Sequence, residues 1–434
     1  MEELTLENGI KLLFYPMMNT HSITVGLYIK AGVLYGEPKH GITHLLEHLH
    51  FRQLDHMSQN ELYYKMECIG STLRATTYRD CLSFSMKILP CYIEECLDIF
   101  VQLINASSWS SENFSKEKEV VINQIAAKGD YLSMEREVYK FIFRGHKLEQ
   151  TIMGSEEQLA QIVLADVVKY KKQIFNTSDL VICIAGNISR SKLLEVITPL
   201  HKCTIVSSNR NTIPTIPKRF SSRKPEIKLI NIEDNNPLEV NLSFDIRYQS
   251  QDKEALSVLN VILGEGVGSR LQQKIREEFC YSSDISSYIE WYQNFAVLHI
   301  LFTVKKKQLF PCLNEIVQVL NDIKVKITPK DLDISLPFYT QNYAFLEDNT
   351  EEMNFQQAYH WLVLNERFQP FSLENTEITR NKIQELAKTV FMSQNLCVLV
   401  LGNTKGISQK SIRQVFQKEN DIKRHIDKSP ICGG

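Results

Sequence analysis

The chain carries a weak copy of itself, and that constrains its fold more than any other feature. The run Leu180-Val181-Ile182-Cys183-Ile184-Ala185-Gly186-Asn187 returns 216 positions later as Leu396-Cys397-Val398-Leu399-Val400-Leu401-Gly402-Asn403. Both are short apolar stretches ending in Gly-Asn, as a buried strand entering a tight turn would be. A second pair keeps nearly the same offset. Ile23, Val25, Leu27 and Ile29 alternate with more polar positions (Thr24, Tyr28, Lys30), and Val240, Leu242, Phe244 and Ile246 alternate with Asn241, Ser243 and Asp245. Each reads as a half-buried strand of period two. A polar turn and a helix follow each, at residues 43–51 and 253–263.

Residues 207–225, rich in proline, serine and basic side chains, have the composition of an exposed linker between the copies. The expected layout is therefore a first domain over residues 1–208, a linker over 209–224 and a second domain over 225–434. Further alternation at Leu82, Phe84, Met86 and Ile88, and at Val297, His299 and Leu301, adds strands. Residues 90–104, 115–125 and 155–173 add long helices. This mixture predicts an α+β fold of two similar domains related by internal duplication, each a mostly antiparallel sheet with one face covered by helices.

Composition narrows the function. A net charge of −2 excludes a protein that grips nucleic acid through a broad basic field, and 43% hydrophobic with 23% charged residues excludes wholesale disorder. No apolar run reaches the ~18 residues needed to span a bilayer. The opening MEELTLENGIKLLFY lacks the basic start of a secretory signal. Ten cysteines fall without a CxxC pair, so they read as reduced, mostly buried apolar residues of a cytoplasmic protein.

The chemistry concentrates in His44-Leu45-Leu46-Glu47-His48. On a helix, positions i and i+4 share a face, so both imidazoles can project to one metal ion. Glu47 lies on the same side, where it can reach a water without ligating the metal. Two imidazoles and one further ligand leave Zn2+ an open position, and the water there becomes acidic enough for Glu47 to deprotonate near neutral pH. The pattern is the inverted form of the HExxH zinc motif.

With the preceding strand and Ala31-Gly32, the segment Gly41-Ile42-Thr43-His44-Leu45-Leu46-Glu47-His48 resembles the pitrilysin/insulinase family of inverted zinc peptidases, which includes the mitochondrial processing peptidase. The resemblance continues through Gly70-Ser71-Thr72-Leu73-Arg74-Ala75-Thr76-Thr77, through residues 117–125, through Gly145-His146-Lys147-Leu148 and Gly154, and through Gly268-Ser269-Arg270-Leu271 to Arg276-Glu277-Glu278. It implies duplicated α+β domains, a Zn2+ cofactor, peptide substrates and subunits paired around a closed chamber, as a homodimer or a heterodimer. It also assigns roles. The metal ligands are His44, His48 and the residue at position 124, with Glu117 in support and Glu47 catalytic. Arg276 and Tyr281 grip the substrate backbone. On the peptidase reading, residues 74–85, with Arg74, Ala75 and Thr77, are the candidate edge to which an extended peptide would add.

Two positions depart from the family's pattern. Its third ligand is a glutamate, 76 residues after the second histidine and seven after another glutamate; both counts land on Gln124. An amide oxygen keeps the shape but not the charge. Glu117 is a poor replacement, because seven residues of helix rise about 10.5 Å. A naturally weakened ligand set, an inactive peptidase-like chain and a deliberate Glu→Gln exchange all fit. Farther on, the Arg276–Tyr281 spacing is about two residues short of the family's, and Phe279-Cys280 lacks its glycine.

Other signals are set aside. Gly264-Glu265-Gly266-Val267-Gly268-Ser269 lacks the ending of a phosphate loop and follows a helix. His50 points away from the His44/His48 face, which suggests a surface or core-edge role for it, and His56 is grouped with it. Two readings remain. The first is a zinc endopeptidase cleaving short or unfolded peptides, in the processing or maturation of a precursor. The second is a weakened or inactive subunit that binds peptide or scaffolds a heterodimer, as Gln124 suggests.

Overall fold

A computed structural model describes residues 1–107, 109–128, 133–208, 214–217, 225–233, 237–368 and 378–417. The first half runs β1 (Glu2–Thr5), β2 (Lys11–Pro16), β3 (Ile23–Ile29), α1 (Ile42–Arg52), α2 (Gln59–Cys68), β4 (Arg74–Thr77), β5 (Leu82–Ile88), α3 (Ile93–Asn105), α4 (Ser111–Lys128), α5 (Met134–Ile142), α6 (Glu156–Ala160), α7 (Leu164–Ile174), β6 (Leu180–Gly186) and α8 (Arg190–Val196). The second runs β7 (Glu226–Asn231), β8 (Leu238–Ile246), α9 (Lys253–Leu263), β9 (Ser286–Tyr292), β10 (Phe295–Val304), α10 (Leu309–Val325), α11 (Pro329–Leu346), α12 (Thr350–Tyr359), α13 (Arg380–Val390), β11 (Leu396–Gly402) and α14 (Gln409–Gln417). Most of the proposed linker, and Cys432, lie outside the described residues. Among the described residues, no helix is long and apolar enough to cross a membrane.

The duplication is visible in strand order. One sheet reads β1-β2-β6-β3-β5-β4 and the other β7-β11-β8-β10-β9. Leaving β1 aside, each begins with a parallel pair, β2 with β6 and β7 with β11, and continues antiparallel to its edge. The repeated Gly-Asn runs are β6 and β11, which occupy matching places. Gly186 and Gly402 end them at φ 138° and 127°, values that favour glycine.

The chain forms two compact units, and each takes a segment from the other half of the sequence. The first comprises Met1–Tyr131, Lys147–Thr215 and Asn342–Phe371; the second comprises Leu132–His146, Ile216–Gln341 and Ser372–Gly434. Helix α12 therefore belongs with the first sheet and α5 with the second. This corrects the reading of β3 as a half-buried strand. Every residue of β3 is buried, Thr24 and Tyr28 included, because α12 covers the face that looked polar. Leu13, Tyr28, Val181 and Cys183 pack there with Ala358, Leu362 and Val363, while Leu12, Phe14, Val25, Leu27 and Ile182 face the larger core on the other side. Asn354 sits against the strands. Its Nδ2 donates to Thr24 O at 2.8 Å and Cys183 O at 2.7 Å, and its Oδ1 accepts from Tyr28 OH at 2.7 Å. Gly26 makes room for it, since a Cβ at Gly26 would run into Asn354 Oδ1.

The helix expected over residues 155–173 is broken into α6 and α7. Lys118 Nζ takes the carbonyls of Ala160 and Ile162, and Asp166 Oδ2 accepts from Val163 N at 2.9 Å, so one helix is closed and the next begun. Residues 90–104 divide into a 3-10 turn at Pro90–Tyr92 and α3.

Candidate functional site

Helix α1 begins where the backbone reverses at Gly41, φ 84°. A Cβ there would strike the carbonyl of Met153, so glycine is required on two counts. The Glu37 carboxyl accepts from Gly41 N at 3.1 Å and Thr43 N at 3.2 Å, satisfying donors the new helix leaves open. Burial pushes the Glu37 carboxyl up to about 7 against these hydrogen bonds. Leu45, Leu46 and Leu49 anchor the buried side of α1, while His44 and His48 share the other, with ring centroids 4.7 Å apart.

Helix α4 packs along α1, and the pairings show it running the opposite way. Gln124 Oε1 lies 3.4 Å from His44 Nε2. Glu117 Oε2 lies 2.9 Å from His48 Nδ1, and Glu117 Oε1 pairs with Arg52 Nε. Position 124 thus meets the first histidine of the motif and Glu117 the second. Burial raises the Glu117 pKa, but the hydrogen bonds from His48 and Arg52 outweigh it and hold the carboxyl below its ordinary value.

Glu47 is nearly buried. Its Oε2 accepts the hydroxyl of Thr77, the last residue of β4, and lies 3.6 Å from His44 Nδ1. Burial again raises the pKa, yet the neighbouring His44 and Thr77 prevail, and Glu47 stays ionised at neutral pH. The structure therefore joins His44, Glu47, His48, Gln124, Glu117 and Thr77 within one unit.

Other expected residues fall differently. Of residues 74–85, only β4 is a sheet edge, because β5 lies between β4 and β3. Arg74, exposed at the start of that edge, pairs with Glu351 at 2.8 Å. Ala75 packs against the core, and Thr77 braces Glu47 from the strand's end. His50 is fully buried, correcting its placement at a surface or core edge. Its Nδ1 contacts Leu46 O at 2.7 Å and its ring stacks on Phe175. Burial drives its pKa down to about 3, so the ring is neutral core. His56 is exposed beside Asp55.

Arg276 and Tyr281 lie in the second unit. Arg276 is exposed, within the π-helical turn Gln272–Glu278, and 3.5 Å from Glu277. Tyr281 stacks on Phe279, and its N donates to Ile275 O at 2.9 Å. Between them Cys280 has φ 51°, the left-handed conformation that glycine adopts freely. Sequence reasoning missed Arg52 and Glu37. Arg52 had a usable signal: it follows His48 by four residues on the same helix face.

The donor set can be tested against a zinc site. Among the described residues, no three His, Cys, Asp or Glu side chains are arranged to hold a metal, and the third donor here is an amide oxygen. Ligands about 2.1 Å from a tetrahedral Zn2+ stand roughly 3.4 Å apart. That is the His44 Nε2–Gln124 Oε1 separation, which is long for a hydrogen bond. The His44–Gln124 pair thus has the spacing that two ligands of one ion would need, with His48 one turn along the same helix.

Residues 15–156 match the family described as Insulinase (Peptidase family M16), and residues 161–336 match the Peptidase M16 inactive domain. The chain belongs to the insulinase family. This insulinase-family chain is 26% identical over 339 residues to an uncharacterized zinc protease, YmxG, of Bacillus subtilis, covering 76% of this chain and 80% of that one. It is 25% identical over 292 residues to a probable mitochondrial-processing peptidase subunit beta of Arabidopsis thaliana, covering 62% and 53% of the two chains. A protease of Helicobacter pylori of known structure has a similar fold, with a TM-score of 0.79 at 20% identity over 92% of this chain and 98% of that one.

Proposed function

We propose that this chain is a zinc-dependent endopeptidase subunit that cleaves short or unfolded peptides within a closed chamber, in the processing or maturation of a precursor. The observation that carries the reading is the meeting of His44, His48 and Gln124 with a buried, ionised Glu47 whose carboxylate is braced from an edge strand. His44, His48 and Gln124 would hold Zn2+, which supplies Lewis acidity to a water and to the scissile carbonyl.

The chain's own groups do the rest. Thr77 occupies Oε2 of Glu47 and fixes its rotamer, so Oε1 is the atom that takes a proton from water and returns it to the leaving amine. Glu117 holds His48. An extended peptide adds to β4 through backbone hydrogen bonds, with Arg74 and Ala75 flanking it, and the end of that strand is the residue that touches Glu47. Arg276 and Tyr281 are the proposed grip on the substrate backbone. The subunit works in a homodimer or with a homologous partner, as the word subunit in the Arabidopsis relative's name suggests. A cytoplasmic address completes the reading; six of the nine described cysteines are buried free thiols.

Gln124 favours a second reading. Without a negative third ligand the site holds zinc weakly, and the chain is then a peptide-binding or scaffolding subunit of low activity. Zinc content and peptide cleavage decide between the two for the chain as it stands, for Glu47→Gln and for Gln124→Glu. Bound zinc with cleavage abolished by Glu47→Gln supports the peptidase. No metal, and no gain with Gln124→Glu, overturns it. Solution mass tests the dimer: a fully active monomer refutes it.

A further inference from the structure

His48 can ligate a metal only if the proton on its ring sits on the nitrogen that does not face the ion. The structure shows what puts it there. Glu117 is a carboxylate, able only to accept, so the 2.9 Å contact between its Oε2 and His48 Nδ1 requires the proton on Nδ1. That leaves the lone pair on Nε2. The selection works only while Glu117 keeps Oε2 turned toward the ring.

Glu117 is enclosed, with 7% of its side chain exposed, and a carboxylate so placed needs a charged partner. Arg52 is that partner. It stands one helical turn after His48 on α1, and its Nε donates to Glu117 Oε1. The guanidinium is itself held from another side. Its Nη1 donates to Gln59 Oε1 at 3.1 Å, and Gln59 Nε2 donates to Tyr63 OH at 2.9 Å, both residues on α2. A chain of hydrogen bonds thus runs from α2 through Arg52 and Glu117 to the ring of His48. We propose that Arg52 is a positioning residue for metal binding, which sets the ligating tautomer of His48 by clamping the carboxylate of Glu117 between itself and the ring.

The inference rests on the zinc reading of the site, and its test separates the two. A simple charge effect and a positioning effect have opposite signs. Removing a cation near the site would strengthen binding of a divalent ion, whereas losing the clamp weakens it. Partners beyond the ligands typically govern about 10- to 100-fold in metal affinity, and Arg52 acts through one intermediary, so about tenfold is expected.

The probe is Co2+, titrated into the metal-free full chain and followed by its visible absorption. Arg52→Met is expected to weaken Co2+ binding about tenfold, and Arg52→Lys, which keeps the charge without the forked donor geometry, to recover part of the loss. In a Glu117→Ala background, Arg52→Met should no longer weaken binding, because the intermediary is gone and only the opposite charge effect remains. Thermal melts confirm that each variant is folded, and Arg52→Lys keeps the test usable should Arg52→Met unfold. Affinity unchanged or raised in Arg52→Met overturns the proposal, as does an undiminished loss in the Glu117→Ala background. If the unaltered chain binds no Co2+, the metal reading itself fails and this inference falls with it.

Discussion

Thr77→Val is the sharpest probe of the site, because the side chains are nearly isosteric and only the hydroxyl is lost. That hydroxyl donates to Oε2 of a nearly buried, ionised Glu47. Hydrogen bonds to charged groups contribute about 1.5–3 kcal/mol, against about 0.5–1.5 for neutral pairs. The expected loss at pH 7 is therefore about 1.5–3 kcal/mol. Its pH dependence follows from the Glu47 pKa, which the fold holds below its ordinary value of 4.5. A carboxyl depressed in this way stabilises the fold above its unfolded pKa and loses that contribution as pH falls through the folded one. Thr77 supplies part of the depression, so the cost of Thr77→Val should be full at pH 7 and shrink as pH drops below the unfolded pKa. Urea denaturation between pH 7 and pH 4 measures it, and Glu47→Gln supplies the control, because there only a neutral hydrogen bond of about 0.5–1.5 kcal/mol remains to be lost. An equal loss at both ends of the pH range and in the Glu47→Gln background would show that Thr77 contributes packing alone, and the electrostatic account of Glu47 would fall.

Gly26→Ala should cost about 3 kcal/mol, from overpacking and from displaced hydrogen bonds. The new methyl would collide with Asn354 Oδ1 and lie 2.5 Å from Tyr28 Cε2; the urea midpoint reports it. Glu37→Gln keeps an oxygen for Gly41 N and Thr43 N but removes a carboxyl whose pKa burial raises to about 7. A raised carboxyl stabilises the fold below its unfolded pKa and loses that contribution as pH rises to the folded one. The unaltered chain should therefore lose up to about 3 kcal/mol between pH 4.5 and 7 that Glu37→Gln does not, as denaturation at a series of pH values will show. Cys280→Gly relieves a left-handed φ of 51° and should stabilise the chain by about 0.5–1 kcal/mol, read as a rise in melting temperature.

Much of this architecture is legible in the sequence, for reasons that are local. The Gly-Asn runs mark β6 and β11 because a buried strand and its turn leave a contiguous signature. Helix α9 spans Lys253–Leu263, as its sequence predicts. His44 and His48 share a face of α1 because helical spacing places them there. What failed depends on partners distant in the chain. Alternation in β3 signals one solvent face only if nothing arrives to cover it, and α12 begins more than 300 residues later. The break between α6 and α7 depends on Lys118, which no pattern within 155–173 contains. Helix geometry gives His50 a direction but not what lies along it, so its burial is not legible in the sequence. The contact of Thr77 with Glu47 is not legible in its own segment either, because it arises only when β4 meets α1.

The exchange of α5 and α12 also bears on how the chain can be made. During synthesis, a ribosome that has released the whole first half has still not supplied the helix that closes the back of the first sheet. Tyr28, Val181 and Cys183 must wait, uncovered, until residues 350–364 emerge. Neither unit can then finish folding as an independent newborn domain. The last steps are pairings of high sequence separation, which makes them slow. For such a chain, the apolar back of the nearly complete first sheet is the surface that stays open longest.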